Sequence, residues 1–348
     1  MRRPSPAQRT ARTIQLLLAA AVAFFSGCRS VPRGEYMALE FDKTKPLRYR
    51  FVSSREVQIE LTSGPSGKKE DSKASNESIE MVFQIRPVEI DPYGLSTLEF
   101  TCESVQVKRT TFSGKPAAAD AVQALQGRSY TIQVSPTGRL ELTDSFKNLL
   151  REIGQKSFAA KSGSQQQNVK DPDMILDWLF FQYTLWDLPA SHPRPLEGIR
   201  VGSTWESEQF LPWPVPIQNL PSRTLTYTVE QIEEQQDCRL AFISTSYKLR
   251  ERPVLNFPLP YEGNYQIRGS LFSVLRNFQH QSLEGSGRLV FNLTDGCLES
   301  AQDEYTLVTS ASFILPLGES LPKLTVHQHI QIERLSDDTR SERKNGGL

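Results

Sequence analysis

The sequence predicts an α+β fold: two β-rich halves of curved antiparallel sheet with a helical segment between them. Three observations carry this. Apolar and polar side chains alternate in runs such as Leu47-Arg48-Tyr49-Arg50-Phe51-Val52, the period of a strand with one buried face. The runs are separated by turn-forming clusters, notably Asp91-Pro92-Tyr93-Gly94, Ser135-Pro136-Thr137-Gly138-Arg139 and Thr294-Asp295-Gly296. Between the halves, Met174 to Trp186 is apolar with few interruptions, which suits a buried helix rather than a strand with one wet face.

The elements follow in order. Leu47–Val52 and Val57–Leu61 alternate and read as strands, and Thr62–Glu77, rich in Gly, Ser and Lys, reads as a loop. Ile79–Ile90 and Ser96–Val107 are strands joined at Pro92 and Gly94, where proline sets φ and glycine accepts a positive one. Tyr130–Val134 and Leu140–Leu142 form a hairpin. Thr143 or Asp144 caps a helix over Ser145–Ile153, whose Phe146, Leu149 and Leu150 share a face. After a Ser/Gln-rich linker, Asp171-Pro172 reads as an N-cap followed by proline in the first turn. The second helix then runs from Asp173 to about Trp186 and ends before Pro189.

The second half repeats the first in outline, with strands over Arg223–Glu233, Cys238–Leu249, Gly287–Leu293, Cys297–Val308 and Leu324–Ile332. The polar tail from Ser336 is expected to be disordered. The boundaries are therefore 1–27, 28–45 (tether), 46–142 (first half), 143–190 (helical insert), 191–335 (second half) and 336–348.

The N-terminus reads as an address. Arg2, Arg3, Arg9 and Arg12 precede an apolar stretch from Ile14 to Phe25, shorter than the ~20 residues a membrane span needs but typical of a secretory signal. Phe25-Ser26-Gly27-Cys28 resembles the bacterial lipobox, with Phe25 in the place of the usual leucine. That resemblance implies cleavage before Cys28 and lipidation of its thiol and amine. Acyl chains gain ~0.8 kcal/mol per buried CH₂, so two or three of them anchor a protein firmly. The implied location is the bacterial cell envelope, at the outer membrane or its periplasmic face, with the membrane as partner through Cys28. Ile199-Arg200-Val201-Gly202-Ser203-Thr204-Trp205 resembles the V-G-x-x-W element of uncharacterised exported β-rich lipoproteins, where it opens a second β-half. A looser resemblance, of architecture alone, is to periplasmic lipoprotein carriers, whose curved sheet encloses helices and binds acyl chains.

Charge excludes one class of partner. The 348 residues carry 40 basic and 40 acidic side chains, and loss of the four leader arginines leaves a mildly acidic chain unsuited to nucleic acid. No nucleophile elbow, phosphate loop or dinucleotide fingerprint occurs, so no catalytic residue or cofactor is assigned and a non-enzymatic role is expected. His327 and His329 share a strand face with Gln331 and Glu333. Two imidazoles fall short of a structural zinc set, so that face reads as solvated and no metal is assigned. Cys238 and Cys297, in the same half, are the candidate disulfide; buried thiols are the alternative.

Trp178, Phe181 and Trp186 of the apolar helix, with Trp213 of the following Pro/aromatic segment, present two alternatives. They plug a closed core, or they line a groove for an acyl or other hydrophobic ligand. The leading function is a lipid-anchored binding or scaffold module that meets another envelope protein. A carrier or sensor of hydrophobic ligands is the first alternative, and an enzyme with a dispersed site the second.

Overall fold

A computed structural model describes residues 34–60, 62–63, 68–69, 73–116, 119–158, 167–169, 173–193, 197–214, 220–235, 237–254, 258–261, 265–267, 271–313 and 322–336. The lipobox-like segment with Cys28, the Asp171-Pro172 pair and most of the tail lie outside them. The chain forms strands β1 (Leu47–Glu60), β2 (Thr62–Ser63), β3 (Lys68–Lys69), β4 (Lys73–Ile90), β5 (Ser96–Arg109), β6 (Ser129–Val134) and β7 (Leu140–Leu142), then helix α1 (Asp144–Lys156). Strand β8 (Gln167–Val169) and helix α2 (Ile175–Ser191) follow. The remaining strands are β9 (Thr204–Phe210), β10 (Ser222–Gln235), β11 (Cys238–Leu249), β12 (Tyr265–Ile267), β13 (Leu275–Asn292), β14 (Cys297–Phe313) and β15 (Lys323–Arg334).

Eleven strands make one antiparallel sheet in the order β7-β6-β5-β4-β1-β15-β14-β13-β11-β10-β9. The fold is thus β-rich, with two α-helices among the described residues, and the expected halves are the flanks of a single sheet. They meet where the first long strand pairs with the last, Tyr49 opposite Arg334 through Glu60 opposite Lys323.

Several elements outrun their sequence signals. β1 is continuous through Ser53-Ser54-Arg55-Glu56, because both neighbours pair with it there and Arg55 is neutralised on the buried face. Lys73–Glu77, expected as loop, is strand for the same reason. β13 begins at Leu275 rather than at Gly287, since β14 continues opposite it as far as Phe313. Gly287 lies where a Cβ would collide with Asp303 and Tyr247, so its missing side chain makes room for their contact.

Helix α1 starts as expected, with Thr143 Oγ1 accepting from Phe146 N at 3.3 Å. Helix α2 does not: it begins at Ile175 with no side-chain cap on Met174, and it continues through Pro189 to Ser191. Pro189 lies in the last turn, where Ser191 Oγ donates to the carbonyls of Asp187 (2.7 Å) and Leu188. Ordinarily a proline inside a helix costs a hydrogen bond and a clash.

A flat sheet of eleven strands would be on the order of 48 Å wide, and a helix is about 10–12 Å across. Nevertheless α2 touches strands near both edges. Trp178 Nε1 donates to Tyr130 of β6 at 3.2 Å, while Phe180 packs edge-on against Phe210 of β9 at 5.9 Å. Phe51 and Phe83 from β1 and β4 meet Phe181 at 5.1 and 5.4 Å. The sheet therefore curls around α2, and the core is the filled space between them.

Candidate functional site

The filled face carries a polar seam as well as rings. Asp177 of α2 accepts from Ser53 Oγ at 2.6 Å and from Arg55 Nη1 at 2.9 Å, all three fully buried. Arg55 also bonds Glu77 at 2.5 Å, Glu77 pairs with Arg109 at 3.2 Å, and Arg109 with Asp120 at 3.0 Å. Asp120 in turn accepts from Met174 N, just before α2. Burial would raise Glu77, but Arg55 and Arg109 outweigh it and hold its pKa below the ordinary value. Burial raises Asp177 despite Arg55. It also raises Asp120, with help from Asp173 and against Arg109, to about 7.

Ten residues along the helix, Asp187 accepts from Ser207 at 2.7 Å, Gln209 at 2.8 Å and Tyr227 at 2.5 Å. The second flank adds Arg223, fully buried, between Gln209 and Asp303. One carboxylate of α2 thus grips each flank of the sheet. These groups hold the helix, since a buried charge must be paired where it lies.

The four residues proposed for a groove are part of this packing. Trp178, Phe181, Trp186 and Trp213 are 0, 0, 3 and 1% exposed. A cavity beside Thr184 and Arg223 measures about 10 Å³, room for about one water molecule and none for an acyl chain. In this structure they fill the core instead of lining an open groove. Cys238 and Cys297 are unbridged. Strand β13 lies between β11 and β14, so the two cysteines are about 9.6 Å apart laterally, beyond the reach of a disulfide.

An open cavity of about 970 Å³ is a trough crossing β5, β4, β1, β15, β14 and β13. Strand alternation assigns its face. Its middle row, Arg109, Glu77, Arg55, Gln328, Tyr305 and Gly285, runs in register across the six strands. The Arg55, Glu77, Gln328 and Tyr305 side chains of that row are buried. On either side runs a row of opposite parity. One is Lys108, Ser78, Ser54, His329, Glu304 and Ser286; the other is Thr110, Asn76, Glu56, His327, Thr306 and Glu284. All twelve are half-buried or exposed. The trough is therefore on the outer face, opposite α2, with backbone as floor and polar side chains as walls.

His327 and His329 stand at its centre, each exposed as expected. His327 has Glu56 opposite it on β1 and Thr306 on β14, with Nδ1 at 2.9 Å from Thr306 Oγ1. His329 has Ser54 and Glu304 as its cross-strand neighbours. Sequence reading paired these imidazoles only with Gln331 and Glu333 of the same strand. The adjacent-strand carboxylates became neighbours through register alone.

Asp295, Cys297 and Glu299 form a further cluster, their donor atoms within 4.8 Å of one another. Arg334 Nη1 already satisfies it, at 2.8 Å from Asp295, 2.8 Å from Glu299 and 3.0 Å from Cys297 Sγ. Burial pushes the Cys297 thiol up to about 12 despite Arg334, so it is a poor nucleophile at neutral pH.

No protein-family model matches the chain, and no curated protein is similar to it. Among solved structures it is similar to a lipovitellin chain, from a study titled for lipid–protein interactions in that protein, at 10% identity and a TM-score of 0.38. The alignment covers 85% of this chain and 26% of the other, so the chain spans about a quarter of that protein's length. At that score the likeness carries no argument about function. The class that the structure itself defines is an open antiparallel sheet curled over one central helix, with a polar trough on its outer face.

Proposed function

We propose that this chain is an exported, non-enzymatic binding module of the bacterial cell envelope, anchored through lipidated Cys28, and that it takes a small polar or ionic ligand in the outer trough. One observation carries the trough reading: two complete rows of polar side chains from six strands wall a cavity of about 970 Å³. The inner face is filled by α2. The ionisable groups of that face are spent on holding the helix, which supports a binding role over catalysis. The anchor rests on the basic leader, the short apolar stretch and Phe25-Ser26-Gly27-Cys28. A carrier of acyl chains would need α2 to leave the sheet, breaking the contacts of Asp177 and Asp187.

Native mass spectrometry of the full chain purified from its own envelope tests both parts. The expected result is an acylated protein with a small co-purifying ligand. That ligand should be lost in a trough-filling Ser54→Trp, Ser78→Trp double variant. Cys28→Ser should remove the acyl mass and move the chain out of the detergent phase, leaving the ligand bound. An acyl ligand that survives trough filling would return binding to the inner face. Unchanged detergent partitioning of Cys28→Ser would reject the anchor, and a protein without any bound ligand would reject the trough.

A further inference from the structure

We infer that the centre of the trough is a binding site for a divalent transition-metal ion, built from His327 and His329 of β15 with Glu56 of β1 as the third ligand. The inference rests on the trough as the ligand-binding face and names the chemistry of what it takes.

The argument begins with register. The two histidines are i and i+2 on one strand, so their Cβ atoms lie on one face about 6.6 Å apart. Glu56 is directly opposite His327, and Glu304 directly opposite His329. Direct cross-strand neighbours have Cβ atoms about 4.5–5.5 Å apart. The four residues therefore ring one patch of three adjacent strands, with a carboxylate on either side of an imidazole pair. Glu56 and Glu304 lie on opposite sides of β15 and two register positions apart, about 12 Å between their Cβ atoms and too far for both to reach one ion. The two imidazoles and Glu56 alone can converge at the roughly 2.0–2.2 Å that zinc takes from nitrogen and carboxylate oxygen.

The contacts of the ligating side chains support the same assignment. A ligating imidazole usually donates its other ring N–H to a fixed acceptor, which sets its tautomer and orientation. His327 Nδ1 is at 2.9 Å from Thr306 Oγ1, which leaves Nε2 as the ligating nitrogen. Glu56 Oε1 likewise accepts from Gln58 Nε2 at 2.7 Å. Mixed imidazole and carboxylate donors select zinc-like ions over calcium and magnesium, which prefer all-oxygen sets. In this structure the three donor groups are not drawn to within coordinating distance. All three side chains are half-buried or exposed, so rotation about their χ angles can gather them without moving the sheet. Their position in the trough leaves the ion's remaining coordination sites facing the cavity.

The test is a zinc titration, by calorimetry, of the tag-free full chain stripped with chelator and held in detergent. One equivalent should bind with micromolar or tighter affinity and raise the thermal midpoint. Because both histidines are on the solvated face, a His327→Ala, His329→Ala double variant should fold as wild type and lose about 100-fold or more in affinity. Glu56→Gln should lose about 10-fold and Thr306→Val a similar amount, as expected for a ligand and for the group that orients one, whereas Glu304→Gln should bind within a few-fold of wild type. Cys297→Ser should bind as wild type. Absence of a bound equivalent would overturn the inference. So would a double-histidine variant that binds normally, or a loss confined to Cys297→Ser, which would place zinc in the Asp295 cluster. Failure of the metal and failure of the trough separate cleanly. A ligand that co-purifies, is lost on trough filling and is retained by the double-histidine variant, in a chain that binds no zinc, ends the metal alone, whereas a chain that binds neither zinc nor any co-purifying ligand ends the trough reading with it.

Discussion

Replacing Phe181 with alanine separates a plugged sheet from an open groove by magnitude. The ring is fully buried, stacked on Phe83 at 5.4 Å and tilted against Phe51 at 5.1 Å. Removing it takes roughly 100 Å² out of apolar burial, or ~2.5 kcal/mol at ~25 cal/mol per Å². The two ring contacts add ~0.5–1.5 kcal/mol each, and alanine returns ~0.5 kcal/mol through its better helix propensity. The expected loss is therefore ~3–5 kcal/mol, the range found for large-to-small changes that leave a sealed cavity. Equilibrium denaturation in urea should show it as a lower midpoint at unchanged slope. A fluorescent acyl probe should bind neither wild type nor variant, because the inner face has no room for it. A loss below about 1 kcal/mol would mean the cavity is not sealed. Joined to probe binding that the substitution weakens, it would refute the plug and restore the groove.

Other outcomes follow from the same packing. Asp177→Ala leaves Arg55 with Glu77 alone in a fully buried site, so unfolding free energy should fall by ~3–5 kcal/mol; Arg55→Met with Asp177→Leu should recover most of it. If the double change is as damaging as the single one, the pair is not what holds α2. Trp205 is 5% exposed, stacks on Tyr227 at 5.3 Å and donates to Ser191 Oγ at 3.1 Å. Trp205→Ala should cost ~3–5 kcal/mol, and an unchanged denaturation midpoint would place it outside the core. Burial, then Asp173, holds the Asp120 carboxyl up at about 7 against an ordinary 3.8. A raised folded pKa means the native state binds the extra proton between those values. Its contribution to stability is complete below about 4 and is lost as pH rises through about 7. Urea midpoints should fall from pH 5 to pH 8, and Asp120→Asn should flatten that fall; an identical slope in the variant would assign it to another group.

The sequence by itself determined the central part of most long strands, the turns between them and the buried helix. Each is a local matter of period two, of glycine and proline chemistry, or of an apolar face too wide for a surface helix. The proposed N-terminal address likewise rests on charge and apolar length alone. The alternation of β1 even held the site's seam in plain view. Ser53 and Arg55 have the parity of Tyr49, Phe51, Val57 and Ile59, and Gln328 has that of Val326 and Ile330. A polar residue on a buried parity must meet a partner. Reading β1 as two strands broken at Ser53 hid that signal. What only the tertiary structure decided was which strands lie beside which, because pairing between residues 25 positions apart, as Glu304 and His329, or 271 apart, as Glu56 and His327, leaves no local trace. The β1–β15 register brought Glu56 to His327, and the β14–β15 register brought Glu304 to His329. The curl of the sheet brought both flanks onto one helix, and so filled the space that an apolar helix alone could have either lined or plugged.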